Sequence, residues 1–110
     1  MAEHNIIGQK GEQIAVETMR KKGFRVVDTN WKFGHLEMDV IAVNRKEIAF
    51  VEVKTRTSSF GDKRPEEFVD ELKRRRMAAA ANAYIKIHQI ELVPRFDIIG
   101  ISMDPNTHEV

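Results

Sequence analysis

Glu37–Arg56, EMDVIAVNRKEIAFVEVKTR, decides how the rest of the chain is read. Two runs rich in β-branched and apolar residues, Met38–Val43 and Ile48–Val53, flank the polar link Asn44-Arg45-Lys46-Glu47, the pattern of strand, turn and strand. Whether the loop is Asn44–Glu47 or only Arg45-Lys46, the register is the same: Asp39 falls opposite Glu52, and Glu37 opposite Lys54. Because strand side chains alternate, these four groups are expected on one face at one end of the hairpin, with opposed Cβ atoms roughly 4.5–5.5 Å apart. Ile41, Val43, Ile48 and Phe50 share that face, and Val40, Ala42, Ala49, Val51 and Val53 share the other. Strands apolar on both faces belong in the middle of a sheet. Glu37–Lys54 can be an ordinary ion pair, Lys54 can equally reach Glu52, and Asp39 can hydrogen-bond a turn. None of these explains two acids set opposite each other, where like charges destabilise a strand pair. Partly buried charges cost several kcal/mol each unless compensated, and a hard divalent cation would compensate them.

At 110 residues, 42% hydrophobic and 32% charged, the composition is that of one globular domain, 1–110, with a single core. There is no repeat, and no low-complexity tract. The amino terminus, MAEHNIIGQKGEQ, lacks a cationic segment followed by an apolar one, and no apolar run approaches about 18 residues. A cytoplasmic location without membrane association is expected. Without cysteine, disulfides, iron–sulfur clusters and thiolate zinc sites are excluded. The net charge of +1 hides an uneven distribution. Residues 1–53 balance at eight positive and eight negative, residues 54–76 carry eight positive against five negative, and residues 91–110 carry one positive against four negative. The basic excess begins at the acidic end of the hairpin, which suits a polyanion approaching a metal-holding centre.

A first helix is expected from Asn5 or Ile6 to Lys22, stopped by Gly23, with Ile7, Gly11, Ile14, Ala15, Thr18 and Met19 as its buried stripe. Glu12 either hangs at the edge of that stripe toward the sheet or is solvated. Phe24–Thr29 reads as a strand and Asn30–Gly34 as the turn into the hairpin, with Trp31 at the core or its edge. Beyond Lys54, Thr55–Arg64 (TRTSSFGDKR) reads as a mobile basic loop leaving directly from the acidic end, with Arg56, Lys63 and Arg64 placed to contact phosphate. A long helix begins at Pro65, with Glu66, Glu67, Asp70 and Glu71 in its first turns and Phe68, Val69, Leu72, Ala79, Ala80, Ala83, Tyr84 and Ile87 on its core face. Lys73 shares a face with Met77, Ala80 and Tyr84 and points toward the sheet edge, whereas Arg74 and Arg75 are solvated. A last strand runs from Arg95 to Met103; the crossover is long enough to return parallel. His4, His35, His88 and His108 share no metal-binding spacing and read as surface residues. The fold class is α/β: a mixed central sheet flanked by helices, in the order helix, three-strand meander, long helix, strand.

Asp39 followed on the next strand by Glu52-Val53-Lys54 resembles the signature of the PD-(D/E)xK nucleases, the superfamily of restriction enzymes and Holliday-junction resolvases. Gly11-Glu12, Asn30-Trp31, Glu37–Ala42, Phe50–Arg56, Phe60-Gly61, Lys73-Arg74-Arg75 and Arg95-Phe96-Asp97 together resemble the YraN family of small bacterial proteins within it. Met38 stands where that signature carries proline. The resemblance implies a restriction-endonuclease-like core in which Asp39, Glu52 and Lys54 are catalytic. Asp39, Glu52, Glu12 and the Val53 carbonyl would hold Mg²⁺ or Mn²⁺, bound weakly without substrate. Arg56, Lys63, Arg64 and Lys73 would contact DNA, a homodimer being a permitted assembly. Two functions are expected in competition: a metal-dependent endonuclease, on branched or repair-intermediate DNA among other structures, and a non-catalytic nucleic-acid-binding module of the same fold.

Overall fold

The computed structural model describes residues 2–56, 71–104, 107 and 109, and of residues 2–7 the backbone alone. Among them the elements run α1 (Ala2–Lys21), β1 (Arg25–Phe33), β2 (Leu36–Val43), β3 (Glu47–Arg56), α2 (Glu71–His88) and β4 (Val93–Ser102). The strands form one sheet in the order β1-β2-β3-β4, antiparallel except for the parallel β3–β4 pair. The mixed α/β architecture is therefore the expected one. No helix among the described residues is long and apolar enough to cross a membrane.

The hairpin register is also as read from the sequence, with Val40 opposite Val51, Ile41 opposite Phe50 and Ala42 opposite Ala49. Its turn is fixed by Asn44, whose side-chain oxygen accepts the amides of Lys46 (2.9 Å) and Glu47 (2.7 Å) while its own amide donates to the Glu47 carbonyl at 3.0 Å. Asn is suited to this because its short side chain reaches backbone donors two and three residues ahead. Period-two alternation then divides the core. Ile41, Ile48 and Phe50 pack with Met77, Ala80, Ala81 and Tyr84 of α2. Val40, Ala42, Ala49 and Val51 pack with Ala15 and Met19 of α1 and with Phe24. Together these make two apolar layers, one on each face of the sheet.

The structure differs from expectation at several points, among them the start of β4, at Val93 rather than Arg95. Residues 30–33 are not a turn: β1 continues through them, pairing Trp31 with Met38 and Phe33 with Leu36, and the chain reverses at Gly34, which takes φ 63°. Alternating Trp31 and Phe33 stack at 5.9 Å and outweigh the turn propensity of Asn30, which enters the strand in a left-handed conformation at φ 51°. A bulge between Val26 and Asp28 lets Val27 join the α2-side core and Asp28 accept the Tyr84 hydroxyl at 2.8 Å. On α2 the buried face is Met77, Ala80, Ala81 and Tyr84, while Leu72 and Ile87, assigned to the core face, are more than half exposed. The apolar stripe is turned by about a quarter of a turn from the sequence reading, centring it on Tyr84, which packs edge-on to Trp31 (5.1 Å) and Phe50 (6.0 Å). The expected helix start at Pro65 lies outside the described residues. α1 begins at Ala2, ahead of the expected Asn5 or Ile6, and ends at Lys21 with the expected stop at Gly23: the Phe24 amide donates to the Met19 carbonyl at 3.0 Å around Gly23, whose φ of 93° is ordinary for glycine.

Candidate functional site

The sheet forks at the acidic end of the hairpin. The β2–β3 ladder runs only from Val43↔Ile48 to Val40↔Val51. β1–β2 pairing continues to Phe33↔Leu36, and β3–β4 pairing to Arg56↔Ser102. Beyond Val40 and Val51 the two pairs of strands diverge, and Asp39 stands in the gap. Its Oδ2 accepts the Val53 amide at 2.8 Å, a side chain taking the place of the ladder bond that the diverging backbone cannot make. Asp39 and Glu52 are thus not directly opposed, as the extrapolated register had them, because the ladder ends one pair earlier. Nor does Glu37 face Lys54: it lies opposite Lys32 of β1.

Each carboxylate has its own surroundings. Glu52, 5% exposed, points to the α2 side, where Lys73 Nζ stands 2.9 Å from Oε1 and Lys54 Nζ 3.6 Å from the same atom. Lys73, expected on the α2 face that carries Met77 and Tyr84, is there, and its charge is engaged by Glu52. On the other side, Asp39 lines a polar cavity of about 310 Å³ with Glu12 of α1, Asn30 of β1, and Val53 and Thr55 of β3. Asn30 Nδ2 donates to Glu12 Oε2 at 2.7 Å, which orients the helix-borne acid toward the sheet. α1 comes this close because Gly11 is buried directly against Thr55 and Val53; a Cβ there would run into Thr55 Cγ2. Glu12, the more ambiguous of the acids in sequence, therefore borders the same cavity as Asp39.

The gap opens to both sides, so charges from both act on Asp39. Its pKa is pushed up to about 6, first by burial, then by the charges of Glu52 and Glu37, against the opposing Val53 hydrogen bond and the Lys73 ammonium. A carboxylate desolvated among other carboxylates is a site of negative potential. Among the described residues no three Asp, Glu or His side chains gather closely enough to hold a metal ion by themselves. Two acids on one cavity, with amide and hydroxyl oxygens beside them, fit a small hard cation that keeps several waters and takes further ligands from a phosphate.

Thr55 and Arg56, expected to open the mobile loop, are instead the last residues of β3, paired with Ile101 and Ser102 of β4, and Arg56 is half-buried. Lys63 and Arg64, with the rest of the basic loop from Thr57, lie outside the described residues, as does Phe60-Gly61. Asn30 is the site residue that sequence reasoning did not single out for a role. Its signal is a polar residue directly before the Trp31–Phe33 aromatic alternation, which the sequence assigns to a turn. The surface assignment holds for His35 and His88, both exposed, although the His88 ring lies 4.2 Å from that of Tyr84.

These features define a mixed-sheet α/β domain with acids from a helix and two diverging strands gathered at the fork. Over residues 11–101 the chain matches the model of the uncharacterised protein family UPF0102, and it belongs to that family, the one resembled above under the name YraN. Relatives include UPF0102 proteins of Parabacteroides distasonis, 46% identical over 92% of this chain and 83% of the relative, and of Bacteroides thetaiotaomicron, 44% identical over the same shares. Another from Porphyromonas gingivalis is 42% identical over 92% of this chain and 74% of its own.

Proposed function

We propose that the chain is a metal-dependent endonuclease that hydrolyses phosphodiester bonds in DNA, on branched or repair-intermediate structures among its substrates. The observation that carries this reading is Asp39: a carboxylate held in the fork by the Val53 amide, its pKa raised to about 6, sharing a cavity with Glu12 and electrostatically linked to Glu52. Asp39 and Glu12, which share the cavity, would hold Mg²⁺ or Mn²⁺ with the Val53 carbonyl, and Glu52 would have to turn from Lys73 and Lys54 to join them. When bound, such an ion lowers the pKa of a water and neutralises charge developing on the phosphate. The chain's own groups do the rest. Lys54, on the same face as Glu52 and 3.6 Å from it, donates hydrogen bonds to the attacking water or a non-bridging oxygen. Lys73 balances Glu52, so that a buried acid can persist at the site. Arg56 at the end of β3 would contact the phosphate backbone, as would Lys63 and Arg64 by their place in the sequence.

One observation favours the second reading, a binding module without turnover: Glu52 is already satisfied by two ammonium groups at 2.9 and 3.6 Å and so needs no cation. Cleavage of linear, flapped and four-way DNA in Mg²⁺ or Mn²⁺, with metal binding measured by calorimetry, separates the two. The nuclease reading expects Asp39→Ala and Glu52→Ala to lose metal binding and cleavage yet keep DNA binding. Lys54→Ala should keep the metal and lose turnover. Wild type inert on every structure, or Glu52→Ala cutting as well as wild type, refutes it.

A further inference from the structure

At the end of the sheet away from the fork, the carboxyl end of α1, the start of β1 and the β2–β3 turn enclose an open groove of about 800 Å³. Arg20, Arg25, Arg45 and Lys46 line it, all exposed, against a single acid, Glu47. That acid is engaged elsewhere: Arg95 Nη1 lies 3.4 Å from its carboxylate. The floor is Phe24, only 6% exposed, with Arg95 packed 5.3 Å over its ring.

Two features make this more than a solvated basic patch. The cations are held by defined backbone: the Asn44 side chain locks the turn that carries Arg45 and Lys46, and Gly23 closes α1 beside Arg20. The helix end is also not a repulsive terminus for an anion. The amides of Lys22, Gly23 and Phe24 cap the carbonyls of Thr18, Arg20 and Met19, and Arg20, Lys21 and Lys22 overcompensate what remains of the dipole. Three of the four lining cations are arginines, whose planar forks match phosphate oxygens. Among the described residues that line the groove, none is a large exposed apolar side chain that could anchor a protein partner.

We infer that this groove is a second docking surface for the phosphodiester backbone of a nucleic acid, separate from the fork. Asp39 on β2 and Val43 at its end are four residues apart, so the groove stands roughly 14 Å of strand from the acidic end. The inference does not depend on cleavage: a catalytically silent domain with this groove binds in the same way.

The test is binding of a fluorescent duplex of about 20 base pairs in EDTA, over a series of salt concentrations, where no metal-dependent reaction contributes. Each phosphate contact contributes about 0.9 to the slope of log affinity against log salt. Arg25→Ala/Arg45→Ala/Lys46→Ala should therefore flatten the slope by about 2–3 and weaken binding at least about tenfold near 0.1 M salt. Arg74→Ala/Arg75→Ala/Arg76→Ala removes the same charge from α2 and should change the slope by less than about 1. Both variants are checked for an unchanged melting temperature, and replacing Arg25 and Arg45 by lysine should restore most of the binding if the first variant is unstable. Equal losses in the two triple variants, or an unaltered slope in the groove variant, overturn the inference. So does groove-dependent binding to polyglutamate without binding to the duplex, which would assign the surface to an acidic protein. Failure of wild type to cleave with Mn²⁺ would bear on the proposed function and leave this result standing.

Discussion

Replacing Asp39 by asparagine removes a charge and little else. Asn presents an oxygen where Asp39 Oδ2 accepts the Val53 amide at 2.8 Å, so the bond across the fork can persist. What disappears is an ionised group whose pKa is raised from 3.8 to about 6, chiefly by burial. Unfolded, Asp39 loses its proton near pH 4; folded, it keeps it to about pH 6. Between those values the folded state binds more protons than the unfolded one, so stability falls as pH rises through this window and stays lower above it. At about 1.4 kcal/mol per unit, the difference sets an upper bound of about 3 kcal/mol at pH 7. Solvent screening on the open side of the cavity reduces the expectation to about 1–2 kcal/mol. Urea denaturation in EDTA at pH 7.5 should show Asp39→Asn more stable by that amount, and at pH 4 the gain should vanish. Adding Mg²⁺ at pH 7.5 should stabilise wild type and not the variant. A variant less stable than wild type at pH 7.5, or a gain of the same size at both pH values, would refute the reasoning.

Gly11→Ala should destabilise the fold by about 1–3 kcal/mol through overpacking against Thr55 Cγ2, and Thr55→Ser, which deletes that methyl, should restore most of the loss in thermal denaturation. Lys73→Ala leaves the buried Glu52 with Lys54 alone and should cost about 1–3 kcal/mol; in a Glu52→Gln background the same substitution should cost less, as a double-mutant cycle will show. Tyr84→Phe strips Asp28 of its hydroxyl donor and should cost about 1–2 kcal/mol by urea denaturation, with Asp28→Asn offsetting part of it.

The hairpin was legible because its signals are local: two apolar runs of period two and an Asn-led turn fix the register of Val40–Val43 against Ile48–Val51 without reference to anything else. The end of that ladder was not legible. Where two strands part company depends on how β1 and β4 twist and hold their partners, which no spacing within the hairpin encodes, and so Asp39 was extrapolated onto Glu52. Lys73 was found from helical periodicity, since its place one turn before Met77 is a local property. The burial of α2 was misread at Leu72 and Ile87 because an alanine-rich helix has a weak stripe, and the choice of face falls to Tyr84 and the aromatic rings it meets across the sheet. Glu12 was ambiguous for a similar reason: only the tight seat of Gly11 against β3 decides that it overlooks the cavity.

The parting of β2 from β3 creates an edge inside the sheet. Past Val51, every second amide of β3 points into the gap rather than at a neighbouring strand, and Val53 finds a side chain in place of a carbonyl. Such an edge is a template for a stray strand, the first step of edge-to-edge aggregation. Here it is flanked by Glu37 and Asp39 on one lip and by Lys54 and Arg56 on the other, charges that an incoming strand would have to strip of water. The charges at the fork thus also keep it from being zipped shut by another copy of the chain. Substituting them together with apolar side chains trades a charged opening for an adhesive one, and the resulting protein should be lost to precipitation during purification.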